Sequence, residues 1–158
     1  MHGEVSNDVE VVVPAAMVWD IYGTPLKLAK VSTELLSDVV EKIEILKGDG
    51  GVGTLMKATF PPGSGFDYTI EKYKILDHEK HLKVAEIIEG GPLKLGFSLY
   101  RVRNEIIEKD VNSTIIRSSI EYEINEEFAA NVSFASTALL DLLANAIGKY
   151  LAEKKADD

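Results

Sequence analysis

The rhythm of hydrophobic and polar positions changes twice along this chain. VEVVV at residues 9 to 13 is β-branched and predicts a strand. Pro14 closes it and suits the first turn of a helix, where a missing N–H costs nothing. PAAMVWDIYG then sets Val18, Ile21 and Tyr22 at helical spacing, with Gly23 as a stop. A second short helix is predicted over residues 25 to 36, with Leu28, Val31, Leu35 and Leu36 on one side. From residue 38 the period becomes two. DVVEKIEIL, GTLMKATF, DYTIEKYKIL, KHLKVAEII, LKLGFSLYRVRNEII and STIIRSSIEYEI predict six further strands, separated by KGDGG, PPGSG, DHE and EGGP turns. The helical period then returns. EEFAANVSFASTALLDLLANAIGKYLAEKK predicts one continuous helix with Asn125 as N-cap, acidic Glu126 and Glu127 at its start and Lys149, Lys154 and Lys155 near its end. Phe128, Val132, Ala135, Leu139, Leu142 or Leu143, Ala146 and Tyr150 form its apolar stripe.

Strand, two short helices, six strands and a long helix predict an α+β fold, one unit over residues 1 to 158, in which the final helix covers the concave face of an antiparallel sheet. Composition narrows the partners. The chain is 46% hydrophobic and 27% charged, values of a globular protein that does not live in a bilayer. The absence of a basic-then-apolar leader and of a long apolar run predicts a cytoplasmic protein with no membrane partner. There is no cysteine, so thiolate nucleophiles, thiolate metal sites and disulfides are excluded. Seventeen Lys and Arg face 26 Asp and Glu, and a net charge of −9 repels polyanions, so no nucleic-acid partner is expected. The NST and NVS triplets at Asn112 and Asn131 are read as chance matches to the glycosylation pattern.

KGDGGVG at residues 47 to 53 invites a phosphate-binding reading and fails it on context. Gly53 leads into TLMKATF, a strand pattern, and no Lys-Ser or Lys-Thr pair opens a helix there. The loop reads as a tight strand-to-strand connection. Together with FPPG after the next strand, EKY, IEGG and EFAA, the GDGGVGT segment resembles the plant Bet v 1 family, the pathogenesis-related proteins of class ten, over nearly the whole chain. The order of these motifs is most similar to the norcoclaurine-synthase-like branch, including its norbelladine-forming members. The resemblance implies a seven-stranded antiparallel sheet gripping the C-terminal helix around an internal cavity. It also implies cofactor-independent condensation of a phenethylamine, tyramine or dopamine, with an aromatic aldehyde such as 3,4-dihydroxybenzaldehyde.

The branch's condensing enzymes carry a tyrosine, a glutamate two positions on, a lysine twelve further and an aspartate nineteen beyond that. Glu71 and Lys83 match the glutamate and the lysine. Thr69 stands at the tyrosine's position with Tyr68 one residue before it, and Val102 stands where the aspartate would be. Strict alternation sends Tyr68 and Glu71 to opposite faces, whereas a bulge between Ser64 and Asp67 would turn Tyr68 inward. Glu71, Lys83 and Tyr68 are therefore the candidate catalytic groups, and the aspartate's replacement argues against cyclisation. Reduction of an imine to norbelladine needs a hydride, and a separate NAD(P)H-dependent reductase is the partner this implies.

Strand alternation puts Met56, Phe60, Phe97 and Leu99 on one cavity wall, beside Thr69. The final helix adds Leu139 and the small Ala135, Ser136, Ala138 and Ala146 on the other. Other residues read as structural. His78 and His81 form H-x-x-H without a third ligand, His2 falls in a frayed terminus, Ser64 lacks a nucleophile-elbow context, and Trp19 packs. No metal site and no cofactor is expected. The competing class is a carrier or store for hydrophobic plant metabolites or hormones, without turnover; ribonuclease activity conflicts with the acidic charge.

Overall fold

The computed structural model describes residues 1 to 157. Its first strand, β1 (His2–Val11), runs antiparallel to the last, β7 (Ser113–Ile124), in unbroken register from His2 opposite Glu123 to Val11 opposite Thr114. The strand starts earlier than the β-branched run predicts. His2 is therefore part of the ladder, its ring nitrogen 3.1 Å from a Glu121 carboxylate oxygen, and not in a frayed end. Pro14 is the N-cap of α1 (Ala15–Tyr22) and its carbonyl accepts the Met17 N–H. Gly23 is the C-cap of that helix, and a Cβ there would run into the Trp19 indole. Helix α2 (Pro25–Leu35) follows, burying Leu28, Val31 and Ser32 and leaving Leu35 partly in solvent.

Strands β2 (Lys42–Lys47), β3 (Leu55–Thr59), β4 (Tyr68–Asp77), β5 (Leu82–Gly90) and β6 (Phe97–Asp110) complete an antiparallel sheet in the order β1-β7-β6-β5-β4-β3-β2. Helices α1 and α2 link its two edges. The glycine loop is the β2–β3 turn, with Gly48, Gly50 and Gly53 at positive φ. Gly53 N–H donates to the Tyr73 carbonyl and Gly50 N–H to the Thr54 hydroxyl, so the loop braces β4. Residues 93 to 95, expected to open β6, belong instead to a 3-10 turn, Gly91–Leu95, because Gly90, Gly91 and Gly96 all adopt positive φ around it.

The final helix is not continuous. A 3-10 segment, Glu126–Phe134, gives way at Ala135 to an irregular stretch before α3 (Ala138–Ala156). Asn125 occupies the N-cap position of the first piece but makes no side-chain cap bond. The Asn131 amide donates to the Leu95 carbonyl, which ties that piece to the 3-10 turn. The Ser136 hydroxyl accepts the Ala138 N–H, and Thr137 donates to Asp141, restarting the helix. The break displaces the apolar stripe: Ala144, Ile147, Gly148 and Leu151 are buried, while Phe128, Leu139 and Leu142 are exposed. By length and composition Glu126–Ala156 would reach across a membrane, yet here it is two pieces, and α3 packs into a core built by Val9, Val11, Val18, Ile116 and Ile147.

Candidate active site

Strand alternation builds the wall of an internal cavity of about 390 Å³. On β4 the odd residues Thr69, Glu71 and Tyr73 face inward; on β5 Lys83, Ala85 and Ile87 do; on β6 Tyr100, Val102 and Asn104. Met56 and Ala58 extend the wall on β3, and Phe60 follows. Tyr22 at the end of α1, Ala29 and Ser32 on α2, and Ser136, Leu139, Leu140 and Leu143 complete the enclosure. Exposed Ser64 and Leu139 mark where the hollow reaches the surface.

Lys83 is 5% exposed, with its ammonium 5.4 Å from the centre of the Tyr73 ring and 5.9 Å from that of Tyr22. Burial pushes Lys83 below the usual lysine range, and the charge of Glu71 partly opposes this. Burial likewise pushes Glu71 up, with Lys83 pulling the other way. The two act on each other through space, without a direct hydrogen bond. The phenols stay protonated at neutral pH: burial drives Tyr22 and Tyr73 upward, helped by Asp141 and Glu71 respectively, and pushes Tyr100 up to about 12. Asn104, cross-strand partner of Lys83, donates to the Ser118 hydroxyl at 3.0 Å, and both are buried. The wall thus holds a carboxylate and an amine of opposing shifts, phenol donors and one amide, in an otherwise apolar room.

Glu71, Lys83, Thr69, Met56, Phe60 and Leu139 line the cavity as expected. Tyr68 does not. The β3–β4 ladder is regular from Thr59 opposite Tyr68 to Leu55 opposite Lys72, so no bulge turns its ring inward. Its hydroxyl donates to Glu89 on the outer surface at 2.8 Å, and Lys57 and Lys94 lie over the ring. Phe97 and Leu99 also leave the wall. The β6–β7 register shifts between them, so the inward set becomes Tyr100, Val102 and Asn104; Phe97 packs edge-on against Tyr100 and Tyr122, and Leu99 falls on the other face. Ala135 is buried against that same cluster, and its neighbour Ser136 reaches the cavity in its place. Ala138 and Ala146 do not line it.

Tyr22, Tyr73, Tyr100 and Asn104 were missed. Tyr73 lies two residues beyond Glu71, and alternation alone would have found it. Asn104 becomes visible only once β5 and β6 are in register. The two histidines are occupied by Trp19: its N–H donates to His78 Nδ1 at 3.1 Å, and His81 stacks on the indole at 5.1 Å. Among the described residues no group of three His, Asp or Glu side chains could hold a metal ion.

Known proteins share both the sequence and this architecture. A norbelladine synthase from Narcissus pseudonarcissus is 47% identical over 158 residues, covering 99% of this chain and 96% of that protein. An S-norcoclaurine synthase 2 from Papaver somniferum is 37% identical over 96% of this chain and 66% of its own length. The X-ray structure of norcoclaurine synthase from Thalictrum flavum in complex with dopamine and hydroxybenzaldehyde superposes with a TM-score of 0.88 at 36% identity, covering 97% of this chain and 88% of that one. Residues 1–154 match the Pathogenesis-related protein Bet v 1 family. Sheet order, cavity and sequence agree, and the chain belongs to the Bet v 1 family.

Proposed function

We propose that this protein condenses a phenethylamine with an aromatic aldehyde to an imine inside the cavity, with tyramine and 3,4-dihydroxybenzaldehyde as the substrate pair. Kinship with the norbelladine and norcoclaurine synthases supports the amine–aldehyde class. The observation that carries the reading is the placement of Glu71 and Lys83 on one buried wall with opposing shifts. A cavity of this size falls within the range that holds small molecules.

Glu71 as carboxylate takes a proton from the substrate ammonium and frees the amine to attack. Lys83 as ammonium gives a proton to the aldehyde oxygen as the C–N bond forms, then recovers one from the new nitrogen, leaving a neutral carbinolamine. Protonated Glu71 returns its proton to the carbinolamine hydroxyl, water departs, and the protonated imine forms with both side chains restored. The apolar wall keeps bulk water from reversing the step. Val102 supplies no carboxylate for ring closure, so the reaction ends at the imine. An NAD(P)H-dependent reductase is the class of enzyme that would then consume it.

The purified protein mixed with both substrates, with the imine trapped by borohydride, should form product above the spontaneous rate. Lys83→Ala and Glu71→Gln should each lose about 10²- to 10⁴-fold while still binding amine. No product above background with any amine–aldehyde pair would refute the reading. It would favour a carrier, a function that the outward Tyr68 and the apolar Val102 also fit.

A further inference from the structure

We propose that Tyr22 and Tyr73 clamp the ammonium of Lys83 between two aromatic rings, acting as positioning residues that hold the side chain in one place and in its charged form. This deepens the condensing role above and rests on it for the consequence in rate, though not for the contact itself.

The clamp comes from separate elements. Tyr22 ends α1 and is 2% exposed; Tyr73 lies on β4 and is 1% exposed. Both centroids lie within 6 Å of Nζ, the range over which a ring face attracts a cation, and both rings are sealed from bulk water, where that attraction is strongest. The ammonium needs such support. Among the described residues it donates no hydrogen bond, and Glu71 reaches it only through space. A lysine without fixed contacts keeps its rotamer freedom, and a buried one sheds its proton. The groups facing it are Glu71 and Tyr73 from β4, Tyr22 from α1 and the neutral Asn104 from β6; Asp141 of α3 bears on it only by way of Tyr22. Of these, Glu71 is occupied in taking the substrate proton. Once Glu71 has taken that proton and is neutral, the ring faces alone support the ammonium until it donates to the aldehyde oxygen.

The mechanism requires Lys83 protonated when the carbonyl is attacked. Weakening the ring faces therefore lowers the midpoint of Lys83 titration and moves the alkaline limb of kcat/KM to lower pH. The test keeps shape and changes only the electrons of the ring. Tyr22→Phe and Tyr73→Phe retain the face, and incorporation of increasingly fluorinated phenylalanines at both positions drains it. Lys83 is followed without substrate by NMR of lysines labelled with ¹³C at Cε, its signal assigned by loss in Lys83→Gln.

The expected result is a midpoint that stays near wild type in the Phe variants and falls stepwise with fluorination. A loss of about three- to tenfold in kcat/KM at neutral pH should accompany the most fluorinated pair. A midpoint indifferent to fluorination overturns the clamp, and so does a shift in the Phe variants as large as in the fluorinated ones, which would assign the effect to the hydroxyls. Should the midpoint track fluorination while wild type makes no imine above background, the clamp stands and the condensing reading falls. Should imine form while the midpoint ignores fluorination, the reverse holds.

Discussion

Glu71→Gln combined with Lys83→Met removes both charges from the cavity wall while nearly preserving side-chain volume. Each group's shift says that the folded state disfavours its charged form: Glu71 lies above its ordinary value of 4.5 and Lys83 below its ordinary 10.5, with burial the larger cause in both. Replacing a buried pair by neutral side chains is often neutral or stabilising by about 1–4 kcal/mol. Glu71 keeps part of its surface open to the cavity and the pair lacks a direct hydrogen bond, so the gain belongs in the lower half of that range, about 2 kcal/mol. For a chain of this length that raises Tm by roughly 6 °C. Lys83→Met alone isolates the Glu71 contribution. A carboxyl whose folded value is raised confers relative stability below the unfolded value, lost as pH rises through the folded one. The single variant should therefore match the double below pH 4.5 and fall progressively beneath it as pH rises, levelling once Glu71 is ionised in the fold. Urea unfolding of wild type, single and double variants across this window measures both effects. A double variant less stable than wild type, or a single variant that approaches the double as pH rises, would show that the pair is held for stability and the site argument is wrong.

Other outcomes follow from particular contacts. Tyr68→Phe loses only an exposed hydrogen bond to Glu89, so its condensation rate should stay within about twofold of wild type, whereas a group in contact with substrate would lose far more. Gly148→Ala drives a methyl group into Val11 across the α3–β1 contact and should destabilise the fold by about 1–3 kcal/mol, read by urea titration. Asn104→Ala strips the buried Ser118 hydroxyl of its donor and should lower stability by about 1–3 kcal/mol, with the imine-forming rate reported separately from Tm.

Strand alternation and β-branched runs placed β2 to β7 within a few residues, because burial of one face imposes a period of two on any half-buried sheet, while β1 runs back to His2 through polar residues that carry no such signal. Glu71 was legible through the family resemblance rather than through alternation, and the regular β3–β4 register sets it on the inward face with Thr69 and Tyr73. Alternation failed where one extra residue entered a strand. Ser98 shifts β6 against β7 and moves the wall from Phe97 and Leu99 to Tyr100, Val102 and Asn104, yet nothing in FSLY distinguishes a bulge from regular strand. An inward Tyr68 required a bulge between Ser64 and Asp67, and the pairing instead continues regularly from Thr59 opposite Tyr68 to the Phe60 N–H donating to the Asp67 carbonyl, so the ring takes the outward face that alternation gives it. The helix break was more legible than it was read. Residues 131 to 137, NVSFAST, are poor in strong helix formers, and Ser136 and Thr137 are residues that restart helices.

That break explains why the interior is hollow. At its C-terminal half α3 is held tightly: Gly148 lets the helix backbone approach Val11 of β1, and Ala144, Ile147 and Leu151 lock into the cluster shared by β1, α1 and β7. Its first turns are anchored on one side only, Leu140 against the Phe97–Tyr100 cluster and Leu143 against the β1–α1 core. Leu139, Leu140 and Leu143 also line the cavity, where the chain enters α3 from the stretch at Ala135 to Thr137 and not along an extended helix axis. The largest packed cluster thus lies at the β1–α1–α3 end, where Val13, Val18, Ile116 and Ile147 are fully enclosed, while the smaller clusters on β3 to β6 border the cavity. A buried ammonium and a carboxylate with opposing shifts would be poor material for a close-packed core, because each disfavours its own charge there. On the wall of a hollow whose structure is secured elsewhere they are tolerated, and Glu71 and Lys83 lie on that unfilled side.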